Sequence, residues 1–263
     1  MRRPVRLGAV SYLNVRPLVY GLDARPDLVS LRFDVPSVCA TLLAQGEIDL
    51  GMVPSISYLD RPADRIVPGV CIGSDGPVAS VALFTKAPMA EVRSVAVDTS
   101  SRTSAMLLRI LCARRFMIAP EWVAHEPDLD RMLARADAAL LIGDPALFAK
   151  QERGVEKIDL GAAWTDLTGL PFVWAFWAGA PDAADREVVT LLQQAAATGM
   201  EHSDEVADAY CADVPERQAL AREYLRRNLM FEFSSRALEG LETYYQEAAL
   251  LGLTGPASQW RFF

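Results

Sequence analysis

Short apolar blocks alternate along this chain with stretches of helical periodicity, and hydroxyl or amide residues stand where one gives way to the other. Residues 5–10 are continuous and apolar, as a buried parallel strand is. Ser11 and Asn14 follow at a strand-to-helix turn, then Leu18, Val19 and Leu22 at helical spacing, with Gly21 as the stop. Residues 28–35 predict a second strand; Pro36-Ser37 opens a helix over 38–45 and Gly46 closes it. Residues 47–53 predict a third strand, and Pro54-Ser55-Ile56-Ser57-Tyr58 turns away from it. Residues 67–72 and 78–85 predict two more, separated by the turn cluster Gly73-Ser74-Asp75-Gly76-Pro77. Ser80 follows that cluster, and the pattern leaves its face open.

Residues 88–92 are loop or one helical turn. A short strand at 95–97 runs into Asp98-Thr99-Ser100-Ser101-Arg102-Thr103-Ser104 and then an apolar helix start at 105–111. Residues 138–142 predict a strand before Gly143-Asp144-Pro145, where Asp144 is either an N-cap with Pro145 at N1 or a site carboxylate. Residues 159–171 are rich in turn formers, and 172–178 form a buried strand. Beyond Pro181 the period becomes helical over 186–199, 203–210, 215–228 and 234–251, the last capped by Ser234 or Ser235; 231–233 is strand or linker. This alternation predicts an α/β fold of two lobes with a ligand cleft between them. Residues 1–84 plus 177–263 would form lobe I, and residues 85–176 lobe II.

Composition narrows the function classes. The 263 residues are 51% hydrophobic and 23% charged, which predicts a folded globular chain. A net charge of -8 without any basic run argues against nucleic acid as partner, but local N–H and hydroxyl groups can still hold a small anion. Cys39, Cys71, Cys112 and Cys211 lack paired spacing and read as reduced core residues of a cytoplasmic protein. His125 and His202 are too few and too separated for a metal cluster. Arg2 and Arg3 precede an apolar stretch that reaches polar Ser11 and Asn14 too soon for a signal peptide, and the apolar run 171–180 is too short to span a membrane. No P-loop, G-x-G-x-x-G or G-x-S-x-G is present.

The candidate chemistry is therefore the polar turns. Free N–H groups and hydroxyls at strand-to-helix turns face the carboxyl edge of the sheet, where open α/β folds bind ligands. Five hydroxyl residues and Arg102 between positions 98 and 105 exceed what one N-cap requires, and form a candidate cradle for a carboxylate or phosphate. Ser11, Asn14 and Ser55 each have the plainer alternative of capping a helix. Tyr12, Trp164 and Trp174 either stack on a ligand or fill the core, and core is the plainer reading.

Several blocks, in order, resemble one family. They are Ser11-Tyr12-Leu13-Asn14 with Pro17-Leu18; Gly46 through Ser55; Ser74-Asp75-Gly76-Pro77 with Ser80; Asp98 through Ser104; Leu141-Ile142-Gly143-Asp144 with Ala146-Leu147; and Trp164 with Thr168-Gly169-Leu170-Pro171-Phe172-Val173. The set is similar to the chorismate dehydratases of the futalosine route to menaquinone. The resemblance implies a type II periplasmic-binding-protein-like fold used as a cytoplasmic lyase. It implies loss of water from chorismate to give 3-[(1-carboxyvinyl)oxy]benzoate, without cofactor or metal; a monomer or homodimer is expected, and no motif fixes which. The paralogous lyase of the same pathway carries a histidine near Gly143-Asp144, and neither histidine of this chain falls there. A non-catalytic carboxylate receptor and a transcription-regulator effector domain share the fold; the absence of a signal-peptide pattern and of a helix-turn-helix pattern disfavours them.

Chorismate carries two carboxylates, so anion donors are assigned to Ser101, Thr103 and Ser104, and to Ser55 with Ile56; Arg102 is a weaker candidate. Ser11 and Ser80 are expected to line the cleft. Asn14 is expected to hold the substrate through its amide, near the departing hydroxyl. No motif supplies a general base, so the expected mechanism is substrate-assisted, with the enolpyruvyl carboxylate taking the neighbouring proton and Asp144 as the competing base.

Overall fold

In the computed structural model β1 (Val5–Val10) lies between β2 (Val29–Asp34) and β3 (Leu50–Pro54) and runs parallel to both. Residues 3–150, 153–256 and 259–263 are described; Arg2 lies outside them. Next come β4 (Arg65–Ile66), β5 (Val70–Ser74), β6 (Val81–Thr85), β7 (Ser94–Asp98), β8 (Glu121–His125), β9 (Ala138–Ile142), β10 (Glu156–Asp159), β11 (Phe172–Gly179) and β12 (Met230–Glu232). One sheet has the order β12-β5-β11-β3-β1-β2, with β4 on β11; the other is β10-β6-β9-β7-β8. The chain crosses between sheets twice, between Ser74 and Val81 and again between Asp159 and Phe172. The expected cuts at 84/85 and 176/177 therefore fall inside β6 and β11. Both strands are apolar throughout, so composition does not say which sheet each joins.

The helices are α1 (Pro36–Gln45), α2 (Thr103–Leu111), α3 (Leu129–Leu133), α4 (Gly143–Leu147), α5 (Leu160–Thr168), α6 (Arg186–Glu201), α7 (Ser203–Tyr210), α8 (Gln218–Glu223) and α9 (Ser235–Leu250). Gly46 ends α1 at φ 71°, as its position predicts, and Ser234 caps α9 through the Ala237 amide at 3.3 Å. The segment after β1 is not an α-helix but a 3-10 helix, Leu13–Val19, because Pro17 inside it has no amide to donate. The expected turn-rich 159–171 contains α5. Its Asp and Gly are caps: Asp159 accepts from the Ala162 amide at 3.0 Å, and Gly169 closes the helix at φ 72°. The expected helix over 215–228 is a 3-10 turn, α8 and a π-helical turn, Tyr224–Asn228. Strands β8 and β10 are polar edge strands, so no apolar run announced them.

One core cluster runs through both sheets, from Leu7 and Leu50 to Leu83 and Leu140, with a smaller cluster around Phe84, Met132 and Leu141. All four cysteines are buried thiols, and among the described residues no helix is long and apolar enough to cross a membrane.

At the amino end of β1, Asp49 joins the strand to the approach of β3. Its carboxylate accepts from the Arg6 amide (2.9 Å), Arg6 Nη2 (2.8 Å) and Arg3 Nη2 (3.0 Å). Burial alone would raise the Asp49 carboxyl, but these donors outweigh it and hold it at about 2, below the ordinary 3.8. The ionised form is thus favoured by folding, so this stabilisation is present above pH 3.8 and disappears as pH falls through 2. Thermal melts between pH 5 and 2, taken as about that interval, are expected to show Asp49→Asn less stable than wild type at the upper end and the two converging at the lower.

Candidate functional site

The carboxyl ends of β1, β3, β7 and β9 converge on a cavity between the two sheets. From the first come Tyr12 and Asn14, from the second Pro54, from the third Ser100, Arg102, Thr103 and Ser104, and from the fourth Ile142 and Gly143. Ser80 and Trp174 complete the wall. Of the ten residues assigned in advance, Asn14, Ser80, Arg102, Thr103 and Ser104 line the cavity, and Ser11, Ser55, Ile56, Ser101 and Asp144 do not.

Ser80 is delivered by a strained turn. The Ser80 amide donates to the Val78 carbonyl at 2.7 Å, closing a three-residue turn whose centre, Ala79, has φ 63°. The peptide units are held from outside. Asp159 accepts from the Val78 amide (3.0 Å) and the Ala79 amide (2.6 Å), and Lys157 Nζ donates to the Ala79 carbonyl (2.9 Å). A non-glycine residue at positive φ costs about 1–3 kcal/mol and persists where the surroundings over-determine it. The Asp159 carboxylate does so here while also capping α5.

At the start of α2 the hydroxyls divide. Ser55 Oγ, fully buried, donates to the Val173 carbonyl at 2.8 Å. The Ile56 amide donates to Thr103 Oγ1 at 3.3 Å. Ser55 and Ile56 therefore lie behind the wall, fixing the helix start. Ser101 is buried, with its Oγ unpartnered. Ser100 donates to Asp98 Oδ1 at 2.7 Å, and its amide reaches the same oxygen at 2.8 Å. Burial raises the Asp98 carboxyl, and these two bonds oppose the rise. Thr103 and Ser104, at the cavity wall, precede the first intrahelical bond, which the Met106 amide makes to the Arg102 carbonyl at 3.1 Å, so their amides have no intrahelical acceptor.

Asp144 is neither the cap of its own helix nor a wall residue. Its Oδ1 accepts from the Leu13 amide across the cleft at 3.1 Å, and its other oxygen accepts from the Tyr210 hydroxyl. Burial raises the Asp144 carboxyl against the pull of those two donors. Tyr210 also reaches the Ser11 carbonyl at 3.0 Å, so Ser11 contributes backbone to this latch. Gly143, at φ 63°, lies under the Tyr12 ring; a Cβ there would stand 2.4 Å from Tyr12 Cε2. Asn14 Oδ1 is buried without a partner.

Tyr12 and Trp174, read as core, are wall residues, whereas Trp164 is fully buried core with Nε1 donating to the Pro171 carbonyl at 3.2 Å. The C-terminal helices lie outside the blocks that carry the family resemblance. They hold the site through Tyr210, through Tyr224 (to Ser80, 2.7 Å), through Tyr244 (to the Thr103 carbonyl, 3.0 Å) and through Tyr245 (to the Ser55 carbonyl). The available signal was tyrosine instead of phenylalanine on buried helix faces, since each such hydroxyl needs a partner.

Gly143→Ala is expected to displace the Tyr12 ring, to lower the melting temperature by the equivalent of about 1–3 kcal/mol, and to reduce ligand affinity; calorimetric melting and a binding titration check both effects.

The chain is 31% identical over 241 residues to a chorismate dehydratase of Thermus thermophilus, covering 85% of this chain and 88% of that one. A crystal structure of protein AF1704 from Archaeoglobus fulgidus superposes with a TM-score of 0.78 at 17% identity, covering 95% of this chain and 98% of the other. The periplasmic aliphatic sulphonate binding protein SsuA of Escherichia coli does so with a TM-score of 0.67 at 17% identity, covering 100% and 94%. These two likenesses show the fold, a two-lobed periplasmic-binding-protein-like α/β architecture with its cleft between the sheets. The sequence profile of the family described as menaquinone biosynthesis matches residues 5–250, and the chain belongs to that family.

Proposed function

We propose that this protein is a chorismate dehydratase, a lyase that removes water from chorismate to leave 3-[(1-carboxyvinyl)oxy]benzoate. The observation that carries the mechanism is the chemistry of the cavity wall. Its polar side chains are hydroxyls, the Asn14 amide and the Arg102 guanidinium, and no carboxylate, imidazole or amine lines it among the described residues. Such a wall binds and orients anions without offering a strong base.

The reaction breaks the C3–H and C4–O bonds of the substrate. The C3 proton is vinylogous to the ring carboxylate, so charge spreads onto that carboxylate as the proton leaves. Donors fixed there stabilise the charge as it develops. We assign Ser80, Ser104 and the free amides of α2 to the substrate carboxylates, with Arg102 at the rim. Thr103, with its oxygen already accepting from Ile56, shapes the wall more than it donates. The enolpyruvyl carboxylate takes the C3 proton and passes it to the C4 hydroxyl, which departs as water beside the Asn14 amide as the C4–O bond breaks. Asp144 acts as a latch between the lobes, since the Leu13 amide and the Tyr210 hydroxyl occupy its carboxylate.

One chain encloses the cavity, so the reaction requires no second subunit; a monomer or a homodimer is equally able to perform it. A cytoplasmic location is supported by the four buried thiols.

Incubation with chorismate alone, followed by mass spectrometry, is expected to give an aromatic product lighter by one water. Unchanged chorismate that nevertheless raises the melting temperature would instead mark a receptor. Asn14→Ala is expected to lower kcat by about 100-fold or more, as loss of an orienting group in the transition state does. Asp144→Asn, which keeps an oxygen for the Leu13 amide, is expected to lose less than about 10-fold. Near-complete loss confined to the Asp144 variant would make Asp144 the base.

A further inference from the structure

A cavity that takes a dicarboxylate needs donors, and each hydroxyl has one proton to offer. Three of the hydroxyls gathered here have committed theirs. Ser55 donates to Val173 and Ser100 to Asp98. Thr103 Oγ1 accepts from Ile56, which turns its own proton toward Ser55 Oγ at 3.4 Å.

Ser80 is different. It lines the cavity, and its oxygen accepts from the Tyr224 hydroxyl at 2.7 Å. Tyr224, in a side chain only 1% exposed, is the donor of this bond, and the Asn14 side chain also lies within reach of its hydroxyl. The proton of Ser80 then has no protein acceptor among the described residues. A second contact ties the same two segments together. Asn228, at the other end of the π-helical turn that begins with Tyr224, donates through Nδ2 to the Pro77 carbonyl at 3.0 Å. One turn of the C-terminal layer thus grips both ends of the 77–80 loop. Windings of this kind are a recognised way to aim a side chain at a functional site.

We propose that Tyr224 is a positioning residue that fixes Ser80 as a hydrogen-bond donor to a carboxylate of the bound substrate. Tyr224, Ser80 and the carboxylate form a chain in which each hydroxyl polarises the next, in surroundings that exclude water. The assignment rests on the chorismate reading of the cavity. It goes beyond that reading by giving a residue 144 positions from Ser80 a share in substrate recognition.

The test is a double-mutant cycle on the whole chain, with two readouts. These are calorimetric affinity for the stable product, 3-[(1-carboxyvinyl)oxy]benzoate, and steady-state kinetics with chorismate. Tyr224→Phe is expected to weaken product binding about 3–10-fold and Ser80→Ala about 10–100-fold. The double variant is expected to be weaker than Ser80→Ala alone by much less than the Tyr224→Phe factor, because Tyr224 acts chiefly through that hydroxyl and only secondarily through the neighbouring Asn14 side chain. A Tyr224→Phe protein that binds as wild type, or a double variant weaker by the full product of both factors, overturns the assignment. Should Tyr224→Phe not fold, a ring-fluorinated tyrosine at position 224 keeps the packing and strengthens the donor. Product binding is then expected to tighten, and unchanged binding overturns the assignment. Wild-type protein that neither dehydrates chorismate nor binds the product overturns the chorismate reading and this assignment together. An active wild type with an unaffected Tyr224→Phe overturns this assignment alone.

Discussion

A tyrosine hydroxyl taken out of water must find a partner, and leaving it without one costs about 1–3 kcal/mol. Four such hydroxyls enter the interior from the C-terminal helices, and each finds its partner on a segment that forms or backs the cavity. Tyr210 meets Asp144 and Ser11, Tyr224 meets Ser80, Tyr244 meets the Thr103 carbonyl and Tyr245 the Ser55 carbonyl. The ligand wall and the C-terminal layer therefore stand or fall together. A cavity made of loops at strand ends would be mobile by itself; pinned from behind at four points, it becomes a preorganised surface.

The same wall holds its local strain. Ala79 and Gly143 both sit at positive φ, one at the turn that presents Ser80 and the other under the Tyr12 ring. Ala79 is held there by the Asp159 carboxylate and the Lys157 amine, whereas Gly143 adopts its φ freely as glycine and leaves the room that a Cβ would take from the Tyr12 ring. Strain concentrated where a ligand binds is what a preorganised site requires, since donors already in place need not be ordered when charge appears.

Hydrogen-bond polarity sorts the hydroxyl-rich stretch at the start of α2. Its composition reads as a uniform anion cradle, yet a hydroxyl whose proton is committed elsewhere is no donor to a ligand. Ser55 behind the wall and Ser100 within it have committed their protons, and Thr103 already accepts from Ile56, while Ser104 and Ser80 line the cavity. Asp144, adjacent in sequence to a wall residue, was drawn instead into contact between the lobes.

What the sequence determined by itself was the alternation of strands and helices, the hydroxyl-rich turns at strand ends, the stops at Gly21 and Gly46, and, through the ordered blocks, the family. These are local properties, or sums of local properties, and apolar runs and caps write them directly into the chain. The sheet to which β6 and β11 belong, the helix hidden in 159–168, and the edge strands β8 and β10 were not legible. Apolar strands look alike whichever sheet receives them, capping residues look like turn residues, and polar edges carry no apolar run. The partner of each hydroxyl was not legible in the sequence either. Such partners lie far away in the chain, as Tyr224 does for Ser80 and Val173 for Ser55, and only the tertiary structure decides them, because no local pattern records such a pairing.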